Sequence, residues 1–141
     1  MMRTLEELRA FFSTDRFAME QCGITIDAAD ETGATCSMPI TEKHLNAGGV
    51  AQGGAIFTLC DLCFAAAANA GGMHTVSQSA DIHYLRPGTG ERLIATASCI
   101  SAGRSTCLYR VDVVNEKGKL IAYATVSGFR KAESAKEVNN A

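Results

Sequence analysis

The stretch GGVAQGGAIFTLCDLCFAAAANAGG, residues 48–72, is bounded by glycine at both ends and is apolar around nearly its whole circumference. Ile56, Leu59, Cys60, Cys63, Phe64 and Ala67 recur at helical i, i+3, i+4, i+7 spacing, and Phe57, Leu62 and Ala65 occupy the other side. A helix of this kind has no face to offer water, so the rest of the chain has to cover it. Asn69, Gly71 and Gly72 supply its stop. Any fold for this sequence is therefore built around one buried helix.

The covering material lies on both sides of it in the sequence. From Ile24 to Ile40 two strands flank the turn signal DETG, with Ala34, Cys36, Met38 and Ile40 alternating against Thr35, Ser37 and Pro39. After Met73, β-rich runs span Thr75 to Leu85, Arg92 to Ser101 and Thr106 to Val114, and a fourth, Leu120 to Phe129, follows the turn NEKGK. Connections of hairpin length predict an antiparallel meander, giving an α+β fold with a curved sheet wrapped around one long central helix. Thr4 and Glu7 form a T-x-x-E capping box ahead of Leu5, Leu8, Phe11 and Phe12, so a short helical segment over residues 4–22 opens the chain. Residues 1–131 read as a single domain and residues 132–141 as a polar tail.

At 141 residues, such a domain buries about two-thirds of its unfolded surface and needs no staples. A net charge of -2, with 20% charged residues, supplies no basic field to gather nucleic acid. The amino terminus, MMRTLEELRAFF, has no export-type apolar core, and Gln52, Asp61 and Asn69 interrupt the one long apolar segment. Neither a membrane span nor a secretion signal is read, and the expected location is cytoplasmic. In that reducing compartment the six cysteines are thiols. Cys60 and Cys63 lie inside the helix, away from its amino end, and core filling accounts for them. His44, His74 and His83 share no ligand spacing; they are assigned no role and no metal is expected.

Between Ala47 and Ala80, Asp61 is the one residue with a fixed charge. A carboxylate in apolar surroundings is paired, protonated or turned to a solvated pocket, because burying it alone costs many kcal/mol. An exposed helix position or a local structural hydrogen bond is the plain explanation. A second feature weighs against it: Gln52, Gly53 and Gly54 open the same helix, where unpaired backbone N–H groups sit at the positive end of the helix dipole and glycine lets a ligand approach closely. That is oxyanion-hole geometry. Gly53 and Asp61 are eight residues apart, about 12 Å along one helix. Both cannot reach one carbonyl from the same subunit. If both act on one substrate, Gly53 of one chain meets Asp61 of another, which requires a homodimer with two equivalent sites.

HLNAGGVAQGGAIFTLCD resembles the signature of hotdog-fold acyl-CoA thioesterases of the phenylacetic-acid-degradation (PaaI-type) family, with Asn46, Gly49, Gly53, Gly54 and Asp61 at matching places. The likeness continues through DIHYLRPGTGERLIATASCISAGRSTCLYRVDV, residues 81–113, which looks like the family's strand, R-P turn and following strands. The resemblance implies that Asp61 is the nucleophile or general base attacking a thioester carbonyl, directly or through water. It makes the Gly53 N–H the oxyanion donor, Asn46 the group orienting the carbonyl or the water, and Ser77 a hydroxyl holding the water or carboxylate near Asp61. Coenzyme A, as part of the substrate, is implied at Gly54, Arg86, Pro87, Gly103, Arg104 and Ser105, with no separate cofactor. Gln52 departs from the pattern: it stands at the first position of the family's HGG triplet, in place of the histidine, and an amide cannot titrate near neutral pH.

The expectation is a dimer, or a dimer of dimers, that hydrolyses a small aromatic or short- to medium-chain acyl-CoA. A hotdog hydratase or dehydratase is one alternative, although such chemistry usually draws on a histidine that Gln52 does not supply. A non-catalytic acyl-CoA binding module is the other.

Overall fold

The computed structural model describes residues 2–30 and 32–132, apart from the side chains of Met73 and Ala132. Helix α1 (Leu5–Phe12) starts at the expected box: the Glu7 N–H donates to Thr4 Oγ1 at 3.1 Å and the Thr4 N–H to Glu7 Oε1 at 3.2 Å. A single π-helical turn, Phe17–Gln21, follows. Strands β1 (Thr25–Asp30) and β2 (Gly33–Pro39) form the first hairpin, helix α2 runs from Gly53 to Asn69, and β3 (Met73–Tyr84), β4 (Arg92–Ala102), β5 (Thr106–Asn115) and β6 (Leu120–Ala132) complete the sheet. Strand β6 ends at Ala132, and residues 133–141 of the expected tail lie outside the described ones.

All six strands pair antiparallel, in the order β1-β2-β4-β5-β6-β3, and α2 packs across one face. Period-two alternation supplies that face: Cys36 and Met38 of β2, Ala95 and Ala97 of β4, Val111 and Val113 of β5, and Ala124 and Val126 of β6 are buried. Small side chains let the helix sit close. Phe64 is the largest fully buried side chain; its ring meets Tyr109 edge-on at 5.5 Å, and a Cβ on Gly128 would lie 2.8 Å from it. Burying Ile56, Leu59, Leu62 and Phe64 stabilises the fold by about 1.5–3 kcal/mol each.

Two expectations change. The strands after α2 are not one meander, because β3 pairs along its length with β6, and β4, β5 and β6 alone run as consecutive hairpins. Residues 85–91 cross the end of the sheet instead of turning back; the Leu85 and Arg86 N–H groups both donate to the Ile121 carbonyl. A connection of that length suits a loose hairpin or a crossover equally, and only the pairing distinguishes them. Secondly, α2 is not enclosed on every side. The sheet covers one flank and the π turn part of the other, which leaves Gly54, Thr58, Asp61 and Ala65 along a half-open stripe. The described residues contain no helix long and apolar enough to cross a membrane.

Candidate active site

Helix α2 begins with Gln52 as its N-cap: the side-chain oxygen accepts from the Ala55 N–H at 3.1 Å. The Gly53 and Gly54 N–H groups find no acceptor among the described residues. The loop ahead of the helix is organised by Asn46, whose Oδ1 accepts from the Gly48 and Val50 N–H groups at 2.8 and 3.2 Å. Gly49, at φ 81°, takes the left-handed conformation that closes this loop. Asn46 thus acts first as the brace of the loop, and its amide nitrogen is the part left for a substrate.

His44 is buried beneath this loop. Its Nδ1 accepts from the Thr41 N–H at 3.0 Å and its Nε2 lies 2.7 Å from the Cys22 carbonyl, so one neutral tautomer satisfies both nitrogens. It pins the loop to the N-terminal segment, a structural task.

Opposite the loop, the R-P turn reaches the same helix end. The Ala51 N–H donates to the Gly88 carbonyl at 2.9 Å, and a Cβ at Gly88 would lie 2.7 Å from that of Ala51, so only glycine permits this approach. Arg86 donates through Nη1 to the Leu120 carbonyl at 2.8 Å and keeps its other donors for solvent. The result is a cleft of about 340 Å³ that brings together Asn46, Gly53, Arg86 and Pro87. Tyr84, not singled out in the sequence, covers it: its hydroxyl donates to the Gly53 carbonyl at 2.9 Å. Its place at the end of β3, two residues before the R-P pair, is the only clue the chain carries.

Asp61 lies two turns further along α2, half-buried, in a pocket of about 170 Å³ with Asp15, Phe17, Ala18, Phe57, Thr58 and Leu62. It forms no hydrogen bond or ion pair with any described residue. Burial raises its pKa above the ordinary aspartate value, and the Asp15 carboxylate adds to the rise. Asp15 is a second residue that sequence periodicity did not reveal; it is placed by the N-terminal segment, whose turn it caps through the Ala18 N–H.

The remaining expected residues stand apart within one protomer. Ser77 pairs with Gly128 and so faces the helix side of the sheet, at the free edge of β3, but it does not line the Asp61 pocket. Gly103, Arg104 and Ser105 form the β4–β5 turn, which rests on β6 through the Arg130 N–H to Ser105 carbonyl bond at 2.7 Å. From there to Ile121, beside the R-P turn, is nine residues of strand, about 30 Å. One chain cannot offer both segments to one nucleotide. Of the two phenylalanines of α2, Phe57 lines the Asp61 pocket and Phe64 is core. Among the described residues no group of three or more His, Cys, Asp or Glu is placed to hold a metal.

Comparison with known proteins fits this geometry. Residues 48–122, from the loop through β6's start, match the family model described as the thioesterase superfamily. The acyl-coenzyme A thioesterase PaaI of Escherichia coli is 35% identical over 118 residues, covering 83% of this chain and 84% of that protein. Human acyl-coenzyme A thioesterase 13 is 32% identical over 86% of this chain and 91% of its own. The solved structure of E. coli PaaI superposes with a TM-score of 0.85 at 29% identity, over 92% of this chain and 95% of that one. A hypothetical thioesterase from Streptococcus pneumoniae solved with coenzyme A superposes at a TM-score of 0.80 with 25% identity, over 88% of this chain and 99% of that one. With its single long helix in a curved antiparallel sheet, its paired glycines at the helix start and its aspartate two turns on, the chain belongs to the thioesterase superfamily as a PaaI-like enzyme of the hotdog fold.

Proposed function

We propose that the protein hydrolyses acyl-CoA thioesters at two equivalent sites, each shared between the subunits of a homodimer. The observation that carries this is the split along α2: an unpaired Gly53 N–H at the helix start and an unpaired, half-buried Asp61 about 12 Å further along. Two such helices, antiparallel about a two-fold axis, set each Gly53 against the other chain's Asp61. The half-open stripe on α2 and the unpaired outer edge of the twelve-residue β3 leave room for this association.

In each site the thioester carbonyl accepts a hydrogen bond from the Gly53 N–H. Negative charge that builds on that oxygen then meets a fixed donor at the positive end of α2. Asp61 of the other chain attacks the carbonyl carbon or removes a proton from an attacking water; the carbon–sulfur bond breaks, and the thiolate leaves to be protonated as free coenzyme A. The direct route forms an anhydride that water then cleaves, and both routes release the acyl group as a carboxylate. Ser77 and the Asn46 amide position the water and the carbonyl. Arg86 and Pro87 of one chain and Gly103, Arg104 and Ser105 of another flank the nucleotide, since one chain holds these segments too far apart. The enzyme works in the cytoplasm without a separate cofactor, as a dimer or a pair of dimers.

The oxyanion role has a clean test. Gln52 has φ -67° and ψ 137°, the backbone conformation favoured before proline, and Gly53 is the first helical residue, where proline is well tolerated. Gly53→Pro therefore deletes the N–H and preserves the helix. Gly53→Ala keeps the N–H and places the same Cβ 3.2 Å from the Tyr84 ring. In a thiol-release assay across a panel of CoA thioesters, the proline variant is expected to lose about 10²–10³ in kcat and the alanine variant far less. Equal losses would remove the N–H from the mechanism, and wild-type protein that binds these thioesters without turnover would remove the hydrolysis itself.

A further inference from the structure

Phe17 is the most exposed large apolar side chain among the described residues, at 63%. It is not on a loose loop. The turn that carries it is held by Ala18, buried at 3%, by the Cys22 N–H to Phe17 carbonyl bond at 2.9 Å, and by His44 on the Cys22 carbonyl. The backbone is anchored and the ring is left outside.

Where the ring stands gives it a task. It lines the Asp61 pocket of about 170 Å³ and also a larger, mostly apolar cleft of about 500 Å³ that runs past Leu45, Ala55 and Thr58 to Gln52 and Gly54. Phe17 and Thr58 are common to both spaces, so the ring stands at the partition between the small compartment at the carboxylate and the large one at the helix start. Because the two-fold axis proposed above passes near the midpoint of Gly53 and Asp61, close to Thr58, this partition borders the acyl side of each site.

Resting on the thioesterase reading above, we infer that Phe17 determines acyl specificity: its ring closes the Asp61 compartment to long acyl groups, and the cleft behind it is the room a longer chain takes when the ring is removed. A chain of eight carbons needs both spaces, whereas an acetyl group needs only the first. Being exposed, Phe17 can be replaced without emptying the core.

The test compares kcat/KM for acetyl-CoA and octanoyl-CoA in the wild type, Phe17→Ala and Phe17→Trp, with molecular mass in solution measured for each. Phe17→Ala is expected to raise the octanoyl-to-acetyl ratio about tenfold, and Phe17→Trp to lower it. A ratio unchanged in both variants, or both substrates slowed alike, overturns the assignment. Dissociation of Phe17→Ala into monomers also overturns it, since the ring would then be a subunit contact. A wild type that hydrolyses no CoA thioester defeats the thioesterase reading itself, a result distinguishable from an active enzyme whose chain-length preference ignores position 17.

Discussion

Replacing Asp61 with asparagine is expected to lower kcat for CoA-thioester hydrolysis by about 10³-fold while making the protein more stable at neutral pH. The two effects share one cause. The carboxylate is half-buried without a hydrogen-bond partner among the described residues, so its charged form is disfavoured and its pKa lies above the ordinary aspartate value, through burial first and Asp15 second. With the folded pKa above the unfolded one, the folded state binds the proton more tightly. Stability is then fullest below the unfolded pKa and declines as pH rises through the folded pKa. The asparagine variant escapes that decline. Its melting temperature should exceed that of the wild type at pH 8, with the gap narrowing as pH falls toward the ordinary aspartate value. The same shift moves the acid limb of the wild-type kcat/KM profile above the ordinary aspartate value, and Asp15→Asn should lower it in part, the contribution of burial remaining. A variant with full activity, or one that melts below the wild type at every pH, would show that Asp61 is a structural residue.

Mixing two inactive proteins is expected to restore activity. In the proposed shared-site dimer, Gly53→Pro subunits lack the donor and Asp61→Asn subunits lack the acid, so each homodimer would carry two defective sites. A mixed dimer has one site with both groups lost and one with both intact. Random pairing makes half the dimers mixed, so co-expression of the two variants should recover about a quarter of the wild-type rate, roughly a hundredfold above either parent. A site contained in one subunit gives no recovery, because each chain still lacks one group wherever it pairs. Activity that stays at the parental level in dimers shown to be mixed would end the shared-site scheme, whatever the single variants do.

Much of this was legible before any coordinates. The all-round apolar stripe from Ile56 to Ala67 called for a covering sheet, and the alternation in 34–40 and after 73 supplied it. Capping by Thr4 and Glu7 was read from a four-residue pattern, because that contact is made within one turn. Asp61 was noticeable as a charge without a neighbour along the chain. The pairing of β3 with β6 was not legible, since periodicity reports which face a strand buries and is silent on which strand lies beside it. Tyr84, Asp15 and Phe17 were missed for the same reason: each reaches α2 from a distant part of the chain, Tyr84 thirty-one residues beyond Gly53.

By itself the sequence determined what is local and repeated: one helix that must be covered, strands of the right number and polarity, glycines where the backbone bends, and an acid where none is expected. Helical and strand periods are short-range properties, set by hydrogen bonds and side-chain directions within a few residues. Only the tertiary structure decided which side of that helix stays open, that the R-P turn packs on its start through Gly88, and that an aspartate and a phenylalanine from the first turns of the chain flank the acid. Those placements come from packing between segments far apart in sequence, where shape and the satisfaction of backbone groups select among arrangements that the pattern alone permits equally.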